Sequence, residues 1–246
     1  MKMLGLFLGG LYLFVPRELY AMHISEGILS LNWALLWWAI AILTLGLALR
    51  RLNFYLKEDP QRKAVFAFVT AFVFLVSVIP IPVPFAGTCS HPVGVAAGVF
   101  LLGLSGSIVA GFIVLLLQAL LLAHGGLSSL GANTVAMAVV GSLSAYLVIL
   151  IFSRAFIPLY MKAFLSGVIA DWATYGVTAL QLALALSEGE PWGSLWVKIL
   201  LAFTPTQVPL GLLEGVITAG VVTAIAKRRS NLLITEVLKF QEGVTK

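Results

Sequence analysis

The chain has 246 residues, 61% of them hydrophobic and 10% charged, with a formal net charge of +5. Soluble domains carry about 25% charged residues, and a soluble helical domain needs polar faces between its apolar stripes. Neither condition is met here, and the long apolar runs equally exclude a transmembrane barrel built of short alternating segments. An all-α integral membrane protein is expected. The basic residues fall in small clusters between apolar runs, as cytoplasmic loops do, so nucleic acid is not an expected partner and membrane lipid is. There is no Walker motif. The single cysteine, Cys89, excludes an internal disulfide and a cysteine-based zinc cluster.

In chain order, Lys2 precedes an apolar run from Leu4 to Val15, short of the roughly 20 residues that a span requires. Pro16-Arg17-Glu18 breaks it and Leu19-Tyr20-Ala21 follows, the layout of a secretory signal peptide over 1–21 with Ala21 before the cut. Leu19 fits less well than an alanine at its position, and an uncleaved first helix is the alternative. Cleavage makes Met22 the mature N-terminus and leaves it outside the cytoplasm.

The first strong span runs from Asn32 to Leu49, with Trp33, Trp37 and Trp38 as an aromatic belt. The following loop, with Arg50, Arg51, Lys57, Arg62 and Lys63, reads as cytoplasmic. A second span covers Ala64 to Ile79, and Pro80, Pro82 and Pro84 end it. The loop with Cys89, Ser90 and His91 returns outside. One helix over Val93–Ala123 would invert the charge pattern of everything downstream. A break near Gly103-Leu104-Ser105-Gly106 removes the conflict, giving a short third helix inward and a fourth returning outward to His124. Spans over Ala132–Phe152, Ala163–Leu186 and Leu200–Ala226 follow, delivering Arg154 inside, Glu188 and Glu190 outside, and Lys227-Arg228-Arg229 inside. About seven transmembrane helices result after signal-peptide removal, N-terminus out and C-terminus in, in a multi-pass protein of the cell (inner) membrane. Residues 22–229 form the transmembrane domain. Residues 230–246 read as a cytoplasmic tail with a short amphipathic helix. This parity places Met22, His23, His91 and His124 on one side of the membrane.

A free N-terminus at Met22 offers its α-amine, the His23 backbone nitrogen and the His23 imidazole, which close adjacent five- and six-membered chelate rings. Three nitrogens then lie nearly in a plane, an arrangement suited to nickel or copper and tight at such sites. His91, in an outer loop, is the natural fourth ligand. The nitrogens must be unprotonated, so affinity falls with pH. Taken alone, two histidines without close spacing are more often structural than ligands, and Cys89 reads as a small buried thiol before a soft ligand.

The stretch Met22-His-Ile-Ser-Glu-Gly-Ile-Leu followed by Trp33-Ala-Leu-Leu-Trp-Trp resembles the mature start of the CbiM and NikM family. These are substrate-capture (S) components of cobalt/nickel energy-coupling factor (ECF) transporters. Gly87-Thr-Cys-Ser-His-Pro-Val-Gly, Gln118-Ala-Leu-Leu-Leu-Ala-His-Gly-Gly-Leu, Gly131-Ala-Asn-Thr, Asp171-Trp-Ala-Thr-Tyr, Leu180-Gln-Leu-Ala-Leu-Ala and Glu214-Gly extend the likeness to about Arg229. Val95-Ala-Ala-Gly and the proline-rich approach over Ile79–Pro84 depart from the family pattern. The resemblance implies a square-planar site of the Met22 amine, the His23 backbone nitrogen and the His23 and His91 side chains. It implies capture of Co(II), or alternatively Ni(II), as substrate with no resident cofactor, for import that supplies cobalamin biosynthesis. The implied partners are a transmembrane T component, two ATP-binding subunits and a small accessory membrane subunit. The chain itself catalyses nothing in this reading. The rivals are a vitamin S component, which needs no processed Met-His end, and an intramembrane metalloprotease, whose His-Glu-x-x-His helix is absent.

Other polar residues have two readings each. His124 is either a hydrogen-bond partner of a ligand imidazole or the fix of a tight glycine turn. Asn133 orients a ligand or caps a helix, and Ser90 lies beside His91. Asp171 and Glu214 are intramembrane carboxylates. Structural hydrogen bonding is expected for both, Asp171 with Arg154 or Lys162 and Glu214 with Gln181 or Asn133. Ala96, Ala97, Gly98, Gly106 and Gly111 suit close helix contact.

Overall fold

Helix dominates because backbone groups surrounded by lipid must be satisfied within their own segment. The computed structural model describes residues 23–58, 61–79, 81–82, 89–153, 156–187, 189 and 191–234. The expected signal peptide, Met22, the side chain of Cys89, Arg154, Glu188, Glu190 and the tail beyond 234 lie outside the described residues.

The elements are α1 (Leu31–Glu58), α2 (Gln61–Ser77), a two-residue antiparallel pair β1 (Ile81–Pro82) and β2 (Cys89–Ser90), α3 (Val95–Leu122), α4 (Leu130–Ile151), α5 (Leu159–Leu186) and α6 (Trp192–Arg229). Among the described residues five helices are long and apolar enough to cross a membrane, namely α1, α3, α4, α5 and α6. The seven expected spans thus resolve into five such helices. The two expected between 93 and 123 form one broken element, and α2 has 17 residues.

The break is where the charge argument required it. Gly103 has φ 70° and ψ 178°, inside otherwise helical backbone. The chain folds back there. The Ser107 hydroxyl donates to the Val95 carbonyl at 2.8 Å, whereas residues twelve apart in a straight helix are separated by about 18 Å. Two of the small residues expected to permit close contact do so. Gly98 faces Ser107 across the fold, and Gly111 lies against Ala138 of α4. The carbonyl of Phe100, left without a helical donor near the break, accepts the backbone N–H of Ile234 at 3.0 Å. Ser230–Leu232 is therefore a 3₁₀ turn, followed by buried Leu233 and Ile234 at the tip of the hairpin, and not the α-helical start expected at 230.

Two helix bounds also differ from expectation. The helix α1 continues through Arg50 and Arg51 to Glu58, since arginine and lysine are good helix formers whose stems lie along apolar surface while their charges reach water. The helix α6 starts at Trp192 rather than near 200, directly after Pro191, and keeps Pro205 and Pro209 within it. Two side chains bond to its carbonyls near the prolines. Trp172 Nε1 donates to the Gln207 carbonyl at 3.0 Å and the Thr206 hydroxyl to that of Phe203 at 2.9 Å. The helices α5 and α6 pack along much of their length. In α4, Thr134–Gly141 is π-helical, a winding found mostly at functional positions, and it begins directly after Asn133.

Backbone with the dihedrals of Gly103 is nearly closed to other residues, at about 1–3 kcal/mol. Gly103→Ala is expected to destabilise the detergent-solubilised protein by that order. Gly220→Ala, which meets nothing within 4 Å, is expected to leave it unchanged. Thermal unfolding of both variants checks the contrast.

Candidate metal centre

The site is assembled from three segments that sequence leaves far apart. The first is the stretch before α1, whose backbone α4 grips. The Ile24 N–H donates to Asn133 Oδ1 at 2.9 Å, and Asn133 Nδ2 donates back to the Ile24 carbonyl at 3.1 Å. The Ser129 hydroxyl donates to the same carbonyl. Two residues on, the Glu26 carboxylate accepts the Ser128 N–H at 3.1 Å, and the Ser128 side chain and then its backbone hold the carboxyl below the usual carboxylate range. A Cβ on Gly126 would lie 2.6 Å from Glu26 Cα, so glycine is needed for this approach. Asn133 makes no side-chain cap bond there and instead holds the backbone of the residue after His23.

His23 is thereby carried into the interior, where it is 4% exposed, and its Nε2 lies 3.1 Å from Gln118 Oε1. Gln118, fully buried, donates through its own Nε2 to the Ser77 carbonyl at 3.2 Å and to the Ser77 hydroxyl at 2.9 Å.

The second segment is the loop before α3, which α6 straps at two points. Gln207 Nε2 donates to the Ser90 hydroxyl at 2.6 Å, and Glu214 Oε1 accepts the Gly94 N–H at 2.9 Å. Between them stands His91, 1% exposed, with Nδ1 3.0 Å from the Pro92 carbonyl. A carbonyl only accepts, so Nδ1 carries the proton and Nε2 keeps its lone pair. Glu214 thus bonds to the Gly94 backbone and not to Gln181 or Asn133, the partners expected for it. Gln181 donates instead to the Ala132 carbonyl, and Asn133 is committed to Ile24. Asp171 is fully buried and neither carboxyl oxygen is hydrogen-bonded among the described residues, so the expected bond to Lys162 is not made.

The third segment is the turn after α3, where Ala123 (φ 50°) and Gly125 (φ 80°) swing His124 inward. His124 is both the residue of a tight turn and a member of the cluster. The ring centroids of His23, His91 and His124 are 4.9, 5.0 and 5.1 Å apart, and one nitrogen from each lies within 4.8 Å of the others. Metal–nitrogen bonds of about 2.0–2.1 Å bring such atoms closer, so the triangle must contract somewhat around an ion. Sequence reasoning placed His23, His91 and His124 on one side, and the structure brings them into contact. It gave no role to Gln118, Ser129, Glu26 or Gln207. Gln118 had a legible signal, as the lone side-chain amide in the apolar run from 95 to 122.

Burial is the main reason these rings are neutral. It lowers His23 well below 6.5 and takes His91 down to about 3, each helped by its histidine neighbours, and burial also lowers His124. A neutral imidazole keeps one unprotonated nitrogen, so each of the three clustered rings has a lone pair to offer.

Comparison with known proteins gives the family of the chain. Residues 23–232 match the family model of CbiM, the cobalt uptake substrate-specific transmembrane region. This chain belongs to the CbiM family. A cobalt transport protein CbiM of Sorangium cellulosum is 42% identical over 86% of this chain and 94% of its own length. The CbiM of Geobacter sulfurreducens is 48% identical over 87% of this chain. The match spans 62% of that relative's length. Two crystal structures of transition metal transporters share the CbiM-family fold. A truncated one has TM-score 0.71 and 23% identity over 85% of this chain and 99% of its own, and the other has TM-score 0.75 and 24% identity over 84% and 93%. The family is one of multi-pass membrane transport components, not of enzymes.

A pH effect follows. Below 6.5 an undocked histidine takes a proton that the docked ring refuses, so docking is unaffected above that pH and weakens as pH falls toward the depressed values. Each ring contributes up to about 1.4 kcal/mol per pH unit. The titratable groups acting on His23 are His91 and His124, both also lowered. Hydrogen exchange of the Ile24 amide in the metal-free protein is expected to be constant from pH 7 to 8 and to accelerate more than the intrinsic rate predicts below pH 6.

Proposed function

We propose that this chain is the substrate-specific component of an ECF-type transporter, capturing Co(II) outside the cell for ATP-driven import that supplies cobalamin biosynthesis. The observation that supports it most directly is the meeting of His23, on a docked N-terminal segment, with His91 and the half-buried His124, all three imidazoles neutral. The naming of its relatives as cobalt transport proteins favours cobalt. Planar nitrogen coordination suits nickel as well, and Ni(II) is the alternative substrate.

In this reading a signal peptidase cuts after Ala21. The Met22 amine, the His23 amide nitrogen and His23 Nδ1 then form the two chelate rings, and His91 Nε2 takes the fourth position. Nδ1 is the ring nitrogen that a six-membered chelate through the His23 amide requires. His124, the most exposed of the three rings, is the first nitrogen an arriving ion meets. The topology is seven membrane segments, counting α2 and the two arms of α3 separately, with the N-terminus out. Arg50, Arg51 and Lys57 on α1 and Lys227, Arg228 and Arg229 on α6 then lie inside, as the charge rule requires. A T component and two ATPase subunits supply the work that releases the ion inward.

Purified mature protein is expected to carry about one Co(II) or Ni(II) by elemental analysis, the count of this single site. His91→Ala should lower affinity by more than the roughly 10–100-fold that loss of an outer hydrogen bond costs. One extra residue before Met22, with cleavage preserved, should abolish the chelate and its visible absorption. Protein without stoichiometric metal, or a mature mass retaining residues 1–21, overturns the reading.

A further inference from the structure

The hydrogen bonds behind His23 have a direction. The Ser77 hydroxyl donates to the Phe74 carbonyl at 3.1 Å, which commits its only proton. Its oxygen must therefore accept from Gln118, whose Nε2 lies 2.9 Å away and also reaches the Ser77 carbonyl at 3.2 Å. Both contacts need a donor, so the amide can be oriented only one way. Its Oε1 then faces His23 Nε2 at 3.1 Å. An amide oxygen only accepts, so His23 Nε2 must carry the ring proton and Nδ1 is left with the lone pair.

We propose that Gln118, anchored by Ser77, is a positioning residue that fixes the tautomer and ring orientation of His23 before any ion arrives. It touches no substrate and acts through His23. The relay starts at the end of α2, crosses the second arm of α3 and ends on the residue that α4 holds by its neighbour Ile24, so three helices define one nitrogen's direction. Bonds in such a chain polarise one another, and a metal drawing electron density from Nδ1 makes the Nε2 proton a better donor to Gln118. The ring thus binds better with the relay intact. Outer partners of ligand imidazoles carry about 10–100-fold in metal affinity. His91 is set in the complementary sense by the Pro92 carbonyl, so the two rings offer different nitrogens, Nδ1 of His23 and Nε2 of His91.

The inference rests on the metal-capture reading for its purpose but not for its geometry, and the experiment separates the two. Metal-free protein labelled with ¹⁵N-histidine in detergent, its rings assigned with single histidine variants, is expected to show His23 protonated at Nε2 with a persistent N–H signal. Gln118→Met, of similar length but without an acceptor, should lose that signal to solvent exchange. It should also weaken Co(II) and Ni(II) binding about 10–100-fold and shift the visible band of the bound ion. Gln118→Glu, which when protonated both donates to Ser77 and accepts from His23, should restore signal, band and affinity. A wild-type His23 protonated at Nδ1 overturns the proposal whether or not the variants fold. So does Gln118→Met with an unchanged His23 signal and unchanged affinity. The predicted tautomer in wild type, lost in Gln118→Met, alongside an absence of metal binding would sustain the relay and defeat the metal reading.

Discussion

The structure depends most on two backbone groups of one residue. Ile24 gives both its N–H and its carbonyl to Asn133, with Ser129 sharing the carbonyl. A segment ahead of the first helix would otherwise cross the end of the bundle with its polar backbone exposed to a largely apolar surround, a costly position. Once Ile24 is held, the residue before it has one direction to face, and Gln118, His91 and His124 are what it meets. The buried histidine cluster is thus a consequence of main-chain hydrogen bonding as much as of the histidines themselves.

The same economy applies to the loop bearing His91. The helix α6 holds it from both sides through Gln207 and Glu214, two turns apart on a helix that contains Pro205 and Pro209. Proline removes a backbone donor and loosens the helix where it sits. The strap therefore hangs from the part of α6 whose own ladder is weakest, with Trp172 of α5 supporting it at the Gln207 carbonyl. The position of His91 is set by how α5 and α6 pack, and any change in that packing reaches the histidine through two hydrogen bonds.

Much of the fold was legible because lipid imposes few rules and enforces them strictly. Charge parity alone required the apolar stretch from 93 to 123 to turn back, and Gly103 is where it does. Helix ends were less legible. The arginines at 50 and 51 mark a change of environment and not a change of backbone, so α1 runs on. The helix α6, read in sequence from Leu200, starts at Trp192 and keeps Pro205 and Pro209 within it. For the site, parity grouped the three histidines, whereas their orienting partners were hidden. A glutamine or serine 41 residues from its partner carries no periodic signal, and the side a carboxylate bonds to, as with Glu214, follows from tertiary packing that composition does not encode.

The neutrality of the three imidazoles has a consequence for what the site ignores. Magnesium and calcium, hard ions, exchange their water shells only for oxygen donors, usually with negative charge among them. At the cluster no described carboxylate is a member of the nitrogen set, and Glu26 has its oxygens turned to the Ser128 backbone. In the proposed capture, a wall of imidazole nitrogens offers such ions little in exchange for their hydration, however abundant they are. Donor type then sets the preference, and the softer late transition ions are what remains.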